Sequence, residues 1–281
     1  MSAPTDNAAA RHTGTQRGVL VAAHAYYLLV AFEFIYMVTP FAAYFYGVYA
    51  PGLDSLARSP TLSWLNTFFL PHIVIDTASW FVNLHNVIGG IALASGLAGF
   101  IIGAIQIYLA KLRRREAVMG GIYAYVRHPQ YLGLMVASLG MAFIWPRFLV
   151  LIGFVAIIFV YVGLARVEER MCLARFAHYA AYVQRTGMFL PRRAERLIAR
   201  LPWPQDRGWR WLAAAGLYAA VLCALLNLAL LLQDHAIDSL PARYTDNAAY
   251  LALRTEDQAR IEPVVALALA HPRVPRSCTR S

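Results

Sequence analysis

VNLHNVIGGIALASGLAGFIIGAIQIYLA, residues 82–110, is the stretch from which the fold class of this chain follows. A membrane-spanning helix needs about 20 mostly apolar residues, and this run exceeds that length. Small residues recur along it and permit a neighbouring helix to approach closely in lipid. They are Gly89, Gly90, Ser95, Gly96, Gly99 and Gly103. The run therefore predicts a long transmembrane helix.

Other apolar runs on both sides of this stretch also predict membrane spans. The five predicted spans are residues 19–46, 82–110, 132–145, 148–165 and 209–232. Residues 62–80 are apolar as well, but Pro71, His72 and Asp76 interrupt them, which favours a re-entrant or interfacial segment. Residues 166–185 carry an apolar stripe at helical spacing and predict an amphipathic helix. We therefore expect an all-α polytopic integral membrane protein with about five transmembrane helices, a re-entrant helix and a cytoplasmic amphipathic helix.

The composition also indicates a membrane protein. Hydrophobic residues make up 59% of the chain and charged residues 14%, whereas an ordinary soluble domain has about 25% charged residues. The net charge of +10 comes almost wholly from arginines that flank the apolar runs. This placement favours membrane topology and anionic lipid headgroups over nucleic acid. The cysteines Cys172, Cys223 and Cys278 lie far apart, so no disulfide framework and no metal site is predicted.

The placement of the arginines predicts the orientation in the membrane. Cytoplasmic loops carry an excess of lysine and arginine. Residues 110–130 and 166–210 are rich in these residues, and the second range holds ten arginines. Both ranges and the N-terminus should therefore be cytoplasmic, and the tail after the fifth span should be external. Because arginine is used almost to the exclusion of lysine, which is typical of GC-rich genomes, we expect a bacterial inner membrane.

A polar motif separates the second and third predicted spans. Gly121–Gly133 reads G-I-Y-A-Y-V-R-H-P-Q-Y-L-G, and Glu168 and Glu169 follow at the end of the next apolar hairpin. The third and fourth spans form that hairpin, so their cytoplasmic ends are neighbours. The R-H-P loop and the glutamate pair should therefore face one another at the cytoplasmic surface.

These residues carry a family resemblance. The motif, the apolar hairpin, E-E-R, an amphipathic helix with Y-x-x-Y and a closing Pro191 together resemble the isoprenylcysteine carboxyl methyltransferases. They are also similar to the related membrane phospholipid methyltransferases. The resemblance covers residues 82–191. It implies that S-adenosylmethionine binds at the cytoplasmic face, in a pocket closed by the loop and the amphipathic helix.

The resemblance also implies site residues. Arg127 and Glu168 would be catalytic. The residues that would bind or adjoin the cofactor are Tyr125, His128, Tyr131, Glu168, Glu169, Tyr179 and Tyr182. Independently of the family, carboxylates accept hydrogen bonds from ribose hydroxyls, and tyrosine faces attract a sulfonium cation. Simpler interpretations remain open: Arg127 as a topology anchor, His128 as a plain loop residue before proline, the glutamates as a solvated helix start, and Tyr179 and Tyr182 as interfacial anchors.

A second group of polar residues lies outside the resemblance. Glu33 falls inside the first predicted span, and His72 and His85 lie in or beside apolar segments. A charge at the bilayer centre costs about 2.5–3.5 kcal/mol, so it usually faces a partner or a cavity. We hypothesise that Glu33 pairs with His85 or His72 and lines a substrate cavity. A structural hydrogen bond between helices is the alternative.

The sequence favours an S-adenosylmethionine-dependent integral membrane methyltransferase whose acceptor is small or lipid-like and carries a carboxyl, thiol or amine group. There are two alternatives: an NADPH-dependent membrane reductase resembling the sterol reductases, and a non-catalytic membrane scaffold or carrier.

The predicted organisation is a disordered N-terminus (1–17), a first span with the re-entrant segment (18–81), a methyltransferase-like core (82–191), a basic linker (192–208), a C-terminal span (209–232) and a polar tail (233–281).

Overall fold

The computed structural model describes residues 28, 31–32, 34–44, 52–72, 74, 76–113, 118–198, 202–245 and 248–271. The predicted disordered residues 1–17, most of the first predicted span and Glu33 lie outside this described part. The chain forms two compact units, Met1–Ala43 and Tyr44–Ser281. The described residues of the first unit are helical, and all of helix α1 (Phe34–Tyr44) except its last residue belongs to that unit.

The second unit is built from helices with one small β-hairpin. Its helices are α2 (Gly52–Ala57), α3 (Trp80–Asn83), α4 (His85–Leu112), α5 (Pro129–Ile144), α6 (Phe148–Arg175), α7 (Tyr179–Arg185), α8 (Arg192–Ile198), α9 (Arg207–Asp238) and α10 (Ile261–Ala270). Strands β1 (Ala242–Thr245) and β2 (Ala248–Leu251) pair antiparallel, with Ala242 opposite Leu251. The described residues are mostly helical, as predicted, and this short hairpin in the polar tail is the one departure from that prediction among them.

Within the described residues, three helices are long and apolar enough to cross a membrane: Trp80–Leu112, Phe148–Arg175 and Gly208–Asp238. They correspond to the second, fourth and fifth predicted spans. Helix α5 corresponds to the third predicted span, but with 16 residues it is shorter than the three candidate spans, as is α1. The count of five spans is therefore not confirmed.

Local chemistry sets where these helices begin. Pro129 occupies the first turn of α5, where its missing N–H removes no intrahelical hydrogen bond. Asp206 caps α9 by accepting hydrogen bonds from the backbone N–H groups of Gly208 at 2.8 Å and Trp209 at 3.2 Å. Between α5 and α6, Trp145–Arg147 turns the chain within three residues. These boundaries place the end of the polar motif, Pro129–Gly133, in the first turns of α5 and the rest of the motif just before that helix.

Helices α4 and α5 pack antiparallel through glycines at seven-residue spacing. Gly89 faces Gly140, and Gly96 faces Gly133. A Cβ atom on Gly96 would lie 2.5 Å from the Gly133 carbonyl oxygen, closer than real Cβ atoms approach. A Cβ atom on Gly99, by contrast, would have no neighbour within 4 Å. The close packing therefore depends on the face of α4 that carries Gly89 and Gly96. The contacts of these two glycines fix the register of α4 against α5.

Helix α6 runs further than the sequence predicted. No helix-breaking residue follows Ala165, so α6 continues through the charged residues to Arg175, and extended backbone at Phe176 ends it. The predicted amphipathic helix over residues 166–185 is therefore wrong as a single helix. Its first half is the end of α6, and its second half is the short helix α7.

Residues 62–80 contain no long helix in the part that the structure describes. A four-residue 3-10 turn, Ser63–Asn66, is followed by extended chain. Phe69 N–H donates to the Pro146 carbonyl at 2.8 Å, and Phe148 N–H donates to the Thr67 carbonyl at 3.3 Å. The segment therefore lies against the turn between α5 and α6, and the predicted re-entrant helix is not confirmed. We call the end of the helix bundle that carries the turn between α5 and α6 the hairpin end, and the end that carries Arg127 and Glu168 the motif end.

Candidate active site

A tight turn brings the polar motif into position at the motif end. Gly121 has φ of 63°, a conformation that side chains with a Cβ rarely adopt. A Cβ there would also meet the side-chain amide of Gln106 on α4. After this turn, Arg127 N–H donates to the Gly187 carbonyl at 2.8 Å, and His128 N–H donates to the Met188 carbonyl at 3.1 Å. The motif loop is thus paired with a loop that follows α7.

Arg127 is buried, with 4% of its side chain exposed, and its guanidinium group is held on two sides. Nε donates to Glu169 Oε1 at 2.5 Å. Nη1 donates to the carbonyl of Val183 at 3.1 Å and also to that of Thr186. One residue of the R-H-P loop therefore joins α6 to the end of α7. This bonding pattern is typical of a group that positions its neighbours.

His128 lies between the two glutamates. Its Nε2 is 3.3 Å from Glu169 Oε1, and its Nδ1 is 3.5 Å from Glu168 Oε2. Burial alone lowers the pKa of His128, but the hydrogen bonds and charges of both carboxylates outweigh burial and raise that pKa above its ordinary value. With Arg127 and a protonated His128, the two carboxylates form a compact cluster of balanced charge.

Tyr131 connects the same cluster to the core. Its hydroxyl donates a hydrogen bond to Glu168 Oε1. Its ring stacks on His128 at 5.7 Å and on Tyr161 of α6 at 5.0 Å between centroids. Tyr131 and Tyr161 are both almost fully buried. The tyrosine therefore holds Glu168 against a rigid support. We call Arg127, His128, Tyr131, Glu168 and Glu169 the ionic cluster.

Tyr179 and Tyr182 of α7 lie beside the ionic cluster. Both are buried, and their rings meet edge to face at 5.4 Å. The Tyr182 hydroxyl donates to the Tyr123 carbonyl at 2.6 Å. Burial raises the pKa of Tyr182 to about 12 and raises that of Tyr179 as well. Both phenols therefore stay neutral at physiological pH.

Two predicted site residues are not brought into this cluster. Tyr125 is 75% exposed, and no hydrogen bond or ring contact joins its side chain to the cluster in the described part of the chain. His85 begins α4 at the hairpin end, at the opposite end of that helix from the motif. Glu33 lies outside the described residues, so its predicted pairing with His85 or His72 stays a prediction.

The structure adds residues that the sequence reasoning missed. Glu195 of α8 accepts hydrogen bonds from the backbone N–H groups of Met188, Phe189 at 3.0 Å and Leu190 at 3.4 Å. The Phe189 ring lies 5.9 Å from the His128 ring. Residues 187–190 therefore form a closing loop over the ionic cluster. In the sequence, the only indication of this loop was Pro191, the residue that follows the loop.

The donor set can hold an organic cation but offers little to a metal. Among the described residues, no group of three or more His, Cys, Asp or Glu side chains is close enough to hold a metal ion. Glu169 is occupied by Arg127 and His128, and 13% of its side chain is exposed. Glu168 is 30% exposed, so its carboxylate oxygens can accept further hydrogen bonds from a ligand.

Comparison with known families agrees with this geometry. Residues 90–178 match the PEMT family model, phospholipid methyltransferase. The match covers less than half of the chain, but it contains the whole motif Gly121–Gly133 and both glutamates. It confirms the resemblance to membrane methyltransferases over this segment. No curated protein and no solved structure matches the chain.

The matched segment corresponds to the helices that carry the motif and the glutamate pair. It includes nearly all of α4, the motif loop, α5 and α6. The closing loop, α8 and Glu195 follow after its last residue. The ionic cluster is therefore carried by the segment that resembles membrane methyltransferases, and the loop that covers it is supplied by the chain beyond that segment.

Proposed function

We propose that the chain is an S-adenosylmethionine-dependent membrane methyltransferase that acts on a small or lipid-like acceptor with a carboxyl, thiol or amine group. The observation that carries this proposal is the ionic cluster, in which Glu168 remains partly exposed while Glu169 is held by Arg127 and His128. The family match over residues 90–178 supports the same class of reaction.

In this proposal the ionic cluster binds and orients the methyl donor. Glu168 accepts hydrogen bonds from hydroxyl or ammonium groups of the cofactor, and its charge complements the sulfonium. Tyr179 and Tyr182 lie close by, and their neutral rings offer faces to a cation. S-adenosylmethionine supplies an electrophilic methyl group when it is bound.

The other residues of the cluster act through Glu168 and the closing loop. Arg127 holds Glu169 and the carbonyls of α7, which positions the loop that carries Phe189. Positioning matters because bringing two reactants into correct alignment is worth roughly 7–11 kcal/mol. We therefore assign Arg127 a positioning role, although the sequence suggested a catalytic one.

A lipid-like acceptor is consistent with the surface of the bundle. The outer faces of α4 and α9 expose large apolar side chains, among them Ile101, Ile105, Leu228 and Leu231. Such faces contact lipid tails in a membrane protein. An acceptor with an apolar tail could therefore approach the motif end from within the bilayer.

Calorimetric titration of the detergent-purified protein with S-adenosylhomocysteine tests the proposal. The wild type should bind. Glu168→Ala and His128→Ala should each bind at least tenfold more weakly, about 1.4 kcal/mol. Glu256→Ala is the matched control, because Glu256 is exposed in the tail and pairs with Arg254. Binding of NADPH without binding of S-adenosylhomocysteine would instead support a reductase.

The acceptor class can be tested with the same preparation. A radiolabelled methyl donor should transfer its methyl group to one of three probes in membranes: phosphatidylethanolamine, a prenylated cysteine or a small alkyl thiol. Transfer should disappear in Glu168→Ala. A wild type that binds the donor but labels none of these probes would contradict the proposed acceptor classes.

A further inference from the structure

A second group of charged and polar side chains lies at the hairpin end, around the ring of Phe68. His72 stacks on this ring, with centroids 4.8 Å apart and planes 6° from parallel. The guanidinium carbon of Arg147 lies 4.6 Å from the same centroid. His85 begins α4 at the same end of the bundle. We call His72, His85 and Arg147 the basic cluster.

The packing of α4 on α5 brings His85 to this place. Gly89 faces Gly140 and Ile144, and His85 lies about one helical turn before Gly89 on the same face of α4. Because α4 and α5 run antiparallel, His85 is placed beside the residues that follow Ile144. Those residues form the turn that contains Arg147. Backbone hydrogen bonds between residues 67–69 and 146–148 hold Phe68 beside that turn.

Two polar atoms of the basic cluster are buried without partners. His85 is 6% exposed; its Nδ1 is 2.5 Å from the Val82 carbonyl, so Nδ1 is the donor there. His85 Nε2 and Arg147 Nε are both buried and have no hydrogen-bond partner among the described residues. Leaving such groups unsatisfied costs free energy. With Nδ1 donating to Val82, Nε2 of the neutral His85 ring is an acceptor, so the N–H groups available to a bound anion are those of the Arg147 guanidinium.

The acidic residues nearby do not neutralise this cluster. Asp76 accepts a hydrogen bond from Asn83 Nδ2 at 2.7 Å, and Asp234 is exposed on α9. Within the described part of the chain, no carboxylate forms an ion pair with His72, His85 or Arg147. Arg147 therefore carries a positive charge that no carboxylate of the described residues neutralises.

The basic cluster is open at the level where the membrane meets water. His72 is exposed and Arg147 is partly exposed. Trp80 and Phe81, at the start of the adjoining span, are 74% and 47% exposed, and aromatic residues at span ends mark the interface of a bilayer. A lipid headgroup lies at that level, and its tails would lie along the exposed apolar face of α4.

We propose that the basic cluster binds the anionic phosphate headgroup of a membrane lipid. The partly exposed guanidinium group of Arg147 donates to the phosphate oxygens, and the exposed His72, which stacks on the same Phe68 ring, closes the open side. The site is at the opposite end of the bundle from the ionic cluster and is independent of the proposed methyltransferase activity.

Lipid retention in nanodiscs tests this proposal. The protein is reconstituted in phosphatidylcholine with a minor share of phosphatidylglycerol, and the lipids that remain bound are measured by native mass spectrometry. The wild type should retain phosphatidylglycerol preferentially, and Arg147→Gln should lower its affinity about tenfold. His72→Gln should also weaken retention, and it is a safe second variant because His72 is exposed. Arg260→Gln in the tail, where Arg260 pairs with Asp257 at 3.1 Å, should leave retention unchanged.

Two further measurements separate the alternatives. Inorganic phosphate, added at constant ionic strength to protein in pure phosphatidylcholine, probes for a soluble anion. Thermal stabilisation by phosphate without preferential retention of phosphatidylglycerol would overturn the lipid assignment. Glu33→Gln probes an internal ion pair. If Glu33→Gln and Arg147→Gln lowered the melting temperature alike and neither changed lipid retention, Glu33 would be the anion and the proposal would fail.

Discussion

Glu168 and Glu169 are consecutive residues of α6, but their carboxylates have different partners. Glu169 accepts a hydrogen bond from the buried Arg127 at 2.5 Å, whereas Glu168 is bound by the Tyr131 hydroxyl and keeps 30% of its side chain exposed. One carboxylate neutralises a buried cation, and the other faces the space where a ligand can bind. Substituting each in turn should therefore have different consequences.

Glu169→Gln should reduce stability more than Glu168→Gln does. Removing the Glu169 charge leaves the guanidinium of Arg127 buried without its counter-ion, which costs about 3 kcal/mol. Glu168→Gln leaves that buried ion pair intact, so it should change the melting temperature little while weakening S-adenosylhomocysteine binding. Thermal unfolding in detergent, followed with and without that ligand, measures both effects. Equal loss of stability in the two variants would contradict the assigned roles.

Arg127→Lys should loosen the closing loop. A lysine ammonium group cannot reach Glu169 and the two carbonyls of α7 with the geometry of a guanidinium group. Hydrogen–deuterium exchange at residues 183–190 should therefore rise, while exchange in α4 stays as in the wild type. Arg185→Lys is a control on α7 itself, since Arg185 is exposed and bonds to the Ala181 carbonyl. Unchanged exchange in Arg127→Lys would argue against a positioning role.

Stability should depend on the protonation of His128. Because its folded-state pKa is raised by Glu168 and Glu169, the proton on His128 stabilises the fold fully below its unfolded pKa of about 6.5. That contribution is lost as the pH rises through the folded-state pKa. The free energy of unfolding should fall over this window, and His128→Gln should remove the dependence. His178→Gln, a change at an exposed histidine nearby, should preserve it.

Gly96→Ala should destabilise the pairing of α4 with α5. A Cβ at Gly96 meets the Gly133 carbonyl at 2.5 Å, and backbone cannot move aside as a flexible side chain can. Overpacking of this kind costs about 1–3 kcal/mol. Gly99→Ala is the matched control, because a Cβ at Gly99 meets nothing within 4 Å. A Gly96→Ala variant as stable as Gly99→Ala would show that the helices can separate without cost.

The sequence alone was sufficient to predict the long spans and the meeting of the R-H-P loop with the glutamate pair. Residues 82–110 and 209–232 exceed the length of a bilayer span, and that pattern needs no tertiary information. The meeting of Arg127 with Glu169 followed from the short connection between α5 and α6, since a tight hairpin must place the far ends of its two helices side by side. The cytoplasmic orientation of that end stays a prediction.

Only the tertiary structure decided which of the paired residues faces a ligand and what covers it. Residues 168 and 169 are both glutamate, so the sequence cannot show which carboxylate neutralises Arg127 and which stays partly exposed. The difference arises because α6 packs against the motif loop. The closing loop escaped the sequence reasoning because Glu195 holds it through backbone N–H groups, which every residue except proline carries. Periodicity and charge placement determined the membrane helices, whereas long-range contacts determined the chemistry at their ends.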